Sequence, residues 1–433
     1  MVGFYSKWSY KHFVTYDKIS KADIPYICRL IPKECGAIVE IADYACGTDV
    51  FVKERCGGEW KSYAMHDNRC DIDGLKTNTE YFVYVTDSNN QKSDVRLFRT
   101  GEIIGTPVNY LHPEDEIYDF SGNFLCSPSL VRLKSGALLA SMDVHRCKAP
   151  QNITLIFRSD DNGKTWRYVT ELVPCFWGKM FCVNGVLYML GVSTEYGDIL
   201  IGCSYDEGKT WEEPTVLTRG GGTCGIGWHR APCVILKTDK RIYTSVEYGS
   251  MAKEGYGNMI LYADIDSDLL DAKSWYITDY YQYKKYAQII EGNVIESPNG
   301  DILNILRYKE NEAVVLKLNE KENKCEFVKK IKLPIAHTKF EIVRNDDGKY
   351  YALGNTFPGR NVLALYKSDD LDEWTFVKNI VDCSNADEKK VGFQYPVFLI
   401  ENDEMLILSR TAYNDADNFH NSNYITFHKD NIE

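Results

Sequence analysis

The sequence predicts an all-β protein: a six-bladed β-propeller over residues 104–433, preceded by a small β-sandwich over residues 1–103. Three observations carry this reading. A turn motif recurs at blade spacing, tryptophans recur with a period near 50 residues, and the first hundred residues break into short, half-alternating strands.

The motif is Ser159-Asp160-Asp161-Asn162-Gly163-Lys164-Thr165-Trp166, repeated as Ser204-Tyr205-Asp206-Glu207-Gly208-Lys209-Thr210-Trp211. Both read S-x-D-x-G-x-T-W, and each follows an apolar run, 153–157 and 199–203. Asp and Gly permit a tight bend, Ser and Thr hydroxyls bond local backbone, and Trp packs beneath the loop. A degenerate third copy, Ser368-Asp369-Asp370-Leu371-Asp372-Glu373-Trp374, lacks the Gly and is one residue shorter. Trp166 and Trp211 are 45 residues apart, Trp211 and Trp275 are 64 apart, and Trp275 and Trp374 are 99 apart, about two units of 50. Repeats of that length built from short strands are propeller blades. Hairpin-like segments at 130–139 and at 294–303, the latter around Asn299-Gly300, fit the same unit.

In the first hundred residues, 37–41, 49–52, 81–85 and 95–98 read as strands separated by turns, as in a small sandwich. Aromatic residues reach 13%, with 30 Tyr, 18 Phe and 8 Trp; most serve strand packing, and exposed rings suit sugar faces. The net charge of −12 argues against a nucleic-acid or anionic-membrane partner. No stretch has the ~18 apolar residues of a membrane span. The first 18 residues lack the apolar core of a signal peptide, so the sequence reads as cytoplasmic. The 14 cysteines include no CxxC pair, which disfavours zinc ribbons and redox motifs and predicts free, mostly buried thiols.

The repeat resembles the Asp-box, or BNR repeat, of the sialidase (neuraminidase) superfamily, whose fold is a six-bladed propeller. The resemblance covers roughly residues 105–433. It gives Asp161 and Asp206 structural roles, since the family's turns lie away from its active site. The stretch Leu75-Lys76-Thr77-Asn78-Thr79-Glu80-Tyr81 resembles the L-x-P-x-T-x-Y corner of fibronectin type III domains.

Sialidases need arginines to clamp a carboxylate, a Tyr nucleophile activated by a Glu, and an acid for the leaving group. Glu291-Gly292-Asn293, leading over a hairpin to Arg307, resembles the family's base Glu and second clamp Arg. Gly359-Arg360-Asn361 resembles the third clamp site, and Gly392-Phe393-Gln394-Tyr395-Pro396, before a strand ending at Arg410, the nucleophile segment. The first blade departs from the pattern: where sialidases have R-I-P-S-L, this chain has Cys126-Ser127-Pro128-Ser129-Leu130. Asp143 and His145 stand near the place of the acid, and His145 is expected to titrate near neutral pH.

A second set lies at strand entries: His229 and Arg230 in Gly227-Trp228-His229-Arg230, His337 and Lys339, Trp177 as a stacking ring, and the polar loop 418–423. Arg230, Lys339 or Arg410 is expected to replace the missing clamp Arg. The resemblance thus implies an exo-glycoside hydrolase acting on an oligosaccharide or glycoconjugate bearing a carboxylate, sialic acid first, with no cofactor or metal. The alternatives are a lyase or unusual glycosidase on uronic-acid sugars using His and Tyr, and a carbohydrate-binding propeller without catalysis.

Overall fold

The structure, a computed structural model, describes residues 24–42, 44, 46–221, 225–251, 255–285 and 287–433. The first 23 residues, on which the leader reading falls, and Cys224 lie outside them. The architecture is all-β.

A small sandwich comes first. Ile27–Lys33, Gly36–Ile41 and Arg69–Asp73 form one sheet in that order; Lys61–Ala64, Asp49–Glu54, Glu80–Thr86 and Arg96–Arg99 form the other. Alternation sets its packing. Along Glu80–Thr86 the residues Tyr81, Val83 and Val85 are buried while their neighbours are half-exposed. They share a core with Leu30, Val39, Ile72 and Phe98. The Leu75–Tyr81 corner closes on itself, with Lys76 N donating to the Tyr81 hydroxyl at 2.9 Å.

Six four-stranded blades follow. Blade 1 holds Phe124–Arg132, Leu138–His145, Thr154–Ser159 and Arg167–Leu172; blade 2 holds Phe176–Val183, Val186–Val192, Ile199–Ser204 and Thr215–Thr218. In blade 3 the first strand is broken into Gly227–His229 and Leu236–Lys237, both paired with Arg241–Ser250, which is followed by Gly255–Asp264 and Trp275–Ile277. Blade 4 runs Ile290–Glu296, Ile302–Lys309, Glu312–Asn319 and Lys324–Lys332; blade 5 runs Glu341–Arg344, Tyr350–Asn355, Val362–Ser368 and Thr375–Asp382. Blade 6 combines Gly392–Glu401, Glu404–Ala412 and Tyr424–Asn431 with Thr106–Tyr110 from the start of the propeller. That shared blade closes the ring. Inner strands are buried on both faces (Leu138–His145 throughout), whereas the outer Lys324–Lys332 is largely exposed.

Each repeat turn joins the third and fourth strands of its blade. Asp161 accepts from Thr165 N at 2.8 Å and from Thr165 Oγ1 at 2.6 Å, Ser159 Oγ accepts from Gly163 N, and the Trp166 indole donates to Gly163 O. The Asp206 turn repeats these bonds. Gly163 has φ +87°, and a Cβ there would lie 2.1 Å from the Phe427 ring. In the degenerate copy Leu371 occupies this left-handed position, at φ 69°. The 13 described cysteines are free thiols, seven of them buried.

The sandwich is fixed to the propeller by buried polar contacts. Arg96 Nε meets Asp115 Oδ2 at 2.5 Å with both side chains almost wholly buried, and Arg29 Nε donates to Val108 O at 2.8 Å.

Candidate active site

The first strands of the blades line the propeller axis, which opens into a cavity at each end. The larger, about 550 Å³, is mostly apolar, and its Arg132 is occupied by Glu401 at 3.0 Å. The smaller, about 340 Å³, collects the reactive groups: His145, Trp177, Glu195, His229, Glu291, Tyr395, Arg410 and His420 line it.

One backbone device builds this cavity. In four first strands the register slips and one residue takes a left-handed φ: Ser127 (51°), Trp177 (50°), Glu291 (58°) and Tyr395 (50°). Such a bulge re-aims a side chain, and a non-Gly residue held there stores about 1–3 kcal/mol. Each is followed by Pro or Gly: Pro128, Gly178, Gly292 and Pro396. All four line the cavity.

Two of these residues form its chemical centre. The Tyr395 hydroxyl donates to Glu291 Oε1 at 2.7 Å, and Arg307 Nη1 donates to Glu291 Oε2 at 2.7 Å. Arg307 also donates from Nε to His337 O at 3.0 Å, which fixes the guanidinium. Burial pushes the Glu291 carboxyl up, but Arg307, His229 and the Tyr395 hydrogen bond outweigh it and hold the group below the ordinary carboxylate value. Burial, then Glu291, raises the Tyr395 phenol to about 12, against the pull of Arg307, Arg360 and Arg410.

These arginines form a cationic side around Tyr395. The Arg410 guanidinium lies 5.3 Å from the centre of the Tyr395 ring, and its Nη2 bonds His145 Nε2 at 2.9 Å and the carbonyl of His420. Arg360 bonds Gln394 Oε1 and packs 5.2 Å from the centre of Phe419; burial lowers it to about 10. Cys126 faces the same charge, since Arg410 acts on its thiol. Of the three residues offered to replace the missing clamp Arg, only Arg410 reaches the cavity.

The opposite side is aromatic. The Trp177 ring lies 4.6 Å from His229 and 6.5 Å from Tyr196, His229 lies 5.1 Å from Tyr256, and the two tyrosine hydroxyls meet at 2.9 Å. His229 Nδ1 is held by Glu247 Oε2 at 3.0 Å. Glu195 enters from the loop after the second strand of blade 2 and accepts from Gln151 Nε2 at 2.6 Å. Burial raises the Glu195 carboxyl above its ordinary value, and Gln151 and His229 only partly oppose this.

Five expectations are corrected. Asp143 is fully buried and outside the cavity: it accepts from Trp177 N at 2.7 Å and from Thr154, and burial raises it to about 8. Arg230 is also fully buried, donating to Leu190 O at 2.6 Å and Trp177 O at 3.1 Å, because it follows His229 on an extended chain and points the other way. Lys339 lies in the core on Glu341 at 3.1 Å, a carboxylate that also receives Lys179. His337 contributes its carbonyl to Arg307, while its ring packs 5.4 Å from Phe357. His145 does line the cavity, but burial, Arg410 and His420 push it well below 6.5, so it stays neutral at neutral pH.

Sequence reasoning passed over Ser127 and Glu195, whereas His420 of the polar loop 418–423 does line the cavity. The residue-then-Pro-or-Gly pattern marks Ser127; Glu195 lies in a loop with no motif.

Comparison with known proteins agrees with this architecture. A family model described as "BNR repeat-like domain" matches residues 186–408. No curated protein sequence matches the chain. Among solved structures, the Hadza microbial sialidase Hz136 shares 13% identity over 97% of this chain and 95% of its own, with a TM-score of 0.54. The NanB sialidase of Streptococcus pneumoniae shares 13% over 95% and 94%, at 0.53. The Penicillium chrysogenum alpha-L-arabinanase, solved with arabinobiose, shares 15% over 76% and 98%, at 0.53. At such identities the likeness is one of fold. With the family model spanning just over half of its length, the chain belongs to the BNR repeat-like domain family.

Proposed function

We propose that this protein is a retaining glycoside hydrolase acting on a carboxylate-bearing sugar, with sialic acid the first candidate. The observation that carries the reading is the hydrogen-bonded chain Tyr395–Glu291–Arg307 at one end of the propeller axis. A phenol is a weak nucleophile at neutral pH, and Glu291 stands at hydrogen-bond distance to take its proton. An uncharged nucleophile also avoids repelling the substrate carboxylate, which Arg307, Arg360 and Arg410 are suited to bind.

In the first step Tyr395 Oη attacks the anomeric carbon, its proton passes to Glu291, and the bond to the leaving oxygen breaks. Glu195, whose carboxyl burial raises above its ordinary value, gives that oxygen a proton. In the second step Glu195 takes a proton from water, the water oxygen attacks the anomeric carbon, and Tyr395 leaves with the proton held by Glu291. The divergent surroundings of the two carboxyls support this division of roles.

For the lyase alternative, His145 Nε2 is engaged by Arg410, which leaves that reading to His229. We infer further that the N-terminal sandwich is of the fibronectin type III class, which its strand order and the Tyr81 corner support.

The test is Glu195→Gln on two substrates with one anionic sugar and different leaving groups. Loss of an acid should lower kcat by about 10²–10⁴ when the leaving group is a sugar hydroxyl, and far less for an activated phenol. Equal losses on both would remove Glu195 as the acid; wild-type protein inactive on every carboxylate-bearing glycoside would refute the reading.

A further inference from the structure

Asp143 and Arg230 are two buried ionisable groups that the proposed chemistry does not use, and both converge on one residue. Asp143 Oδ2 accepts from the backbone N of Trp177 at 2.7 Å, and Arg230 Nη1 donates to the Trp177 carbonyl at 3.1 Å. The peptide groups on both sides of Trp177 are therefore held by side chains that are 0% exposed. Trp177 is itself at φ 50°, a conformation a bulky residue adopts only when its surroundings impose it. Blade 1 supplies one clamp and blade 3 the other, so the indole of blade 2 is set by both of its neighbours. Two buried ionisable groups that both reach the backbone of one residue are costly to bury unless that position matters.

The ring so placed is half-buried, lines the cavity, and continues into His229, Tyr196 and Tyr256. Glu195 lies beside this wall, next to Tyr196 in sequence and within electrostatic reach of His229. The cationic groups Arg307, Arg360 and Arg410 gather instead around Tyr395. The cavity is thus divided: one side suits an anion, and the other offers aromatic faces with an acid at their edge.

We propose that Trp177 is the platform of a subsite for the neutral leaving-group sugar, and that Asp143 and Arg230 are its positioning residues. The assignment rests on the glycosidase reading for the term "leaving group", but the binding it describes is measured without turnover. Aromatic rings recognise the apolar face of a sugar with little cost in side-chain freedom, so a pre-set ring gains affinity from its rigidity. Asp143 and Arg230 touch no substrate; they act through the Trp177 backbone.

The experiment uses the full chain and two neutral disaccharides, lactose and arabinobiose, with binding followed by saturation-transfer NMR and titration. Wild type is expected to bind at least one of them. Trp177→Ala should weaken that binding about tenfold or more, while Trp177→Phe, which keeps a ring, recovers most of it. Asp143→Asn keeps an acceptor for Trp177 N and should bind close to wild type, whereas Asp143→Ala should weaken binding several-fold at unchanged near-UV circular dichroism. Should alanine at 143 unfold the chain, the Trp177 pair still decides the subsite, and Arg230→Lys, which keeps a cation but shortens its reach, tests the clamp. Trp177→Ala binding like wild type, or neither disaccharide binding wild type, overturns the proposal. A failure of Tyr395 as nucleophile would appear in hydrolysis and leave these titrations unchanged, so the two readings fail separately.

Discussion

Replacing Glu291 by Gln keeps the shape of the central residue and removes its charge. The native carboxylate is 2% exposed and is the acid partner of Arg307, itself 17% exposed. Removing one member of a buried pair leaves the other uncompensated, at about 3–5 kcal/mol; the partial exposure of Arg307 points to the lower end. The Glu291 pKa lies below its ordinary value, so this stabilisation is complete above the ordinary carboxylate pKa of about 4.3 and is lost as pH falls through the lower folded value. The melting-temperature gap between wild type and variant should therefore be widest at neutral pH and narrow in acid. Catalysis loses the base, about 10²–10⁴ in kcat. The Tyr395 phenol should move the opposite way from a simple loss of function. Glu291 helps to raise it to about 12 and the three arginines oppose that, so in the variant one tyrosine should ionise at a lower pH, read by phenolate absorbance during alkaline titration. A variant with undiminished kcat, or with an unshifted tyrosine, refutes the coupling between Tyr395 and Glu291.

Other consequences follow from the same geometry. Arg410→Met should weaken binding of a carboxylate-bearing sugar by about 2 kcal/mol, ~30-fold, and spare a neutral analogue; by NMR titration His420 should rise from about 4, because Arg410 is the largest cause of its depression. Asp161→Ala removes bonds to Thr165 N and Oγ1 in a partly exposed turn, and should cost about 1–2 kcal/mol by denaturant unfolding with kcat unchanged. Arg96→Met strands Asp115 between sandwich and propeller; a loss of about 3 kcal/mol or more, with earlier proteolytic cleavage between the two parts, is expected.

Local features were legible in the sequence. The repeat turns are closed by side chains within eight residues of one another, so S-x-D-x-G-x-T-W contains nearly everything that makes them. Glu291 and Arg307 sit on adjacent strands of one hairpin, and their separation of 16 residues is enough to bring them together. Legibility fails where one residue decides which way a side chain points. His229 lines the cavity and Arg230 is buried behind it, although both read as polar residues at a strand entry. Asp143 pairs across from Cys126, yet its carboxyl is absorbed by the Trp177 backbone, a contact between blades that spacing along the chain does not encode. Lys339 is neutralised by Glu341 two residues on, a pair visible in the sequence but indistinguishable there from a solvated one. Glu195 reaches the site from a loop whose conformation depends on Gln151 of another blade connection, and no local pattern announces it.

The most direct test of Tyr395 as nucleophile is to trap the sugar it would carry. A sialosyl fluoride with a second fluorine beside the anomeric carbon needs no acid to depart, while the electron-withdrawing fluorine slows release of the covalent intermediate. After incubation and proteolysis, mass spectrometry should find the sugar on the peptide containing Tyr395, and Tyr395→Phe should abolish that label. A label on Glu291 instead, or none at all, would contradict the assignment.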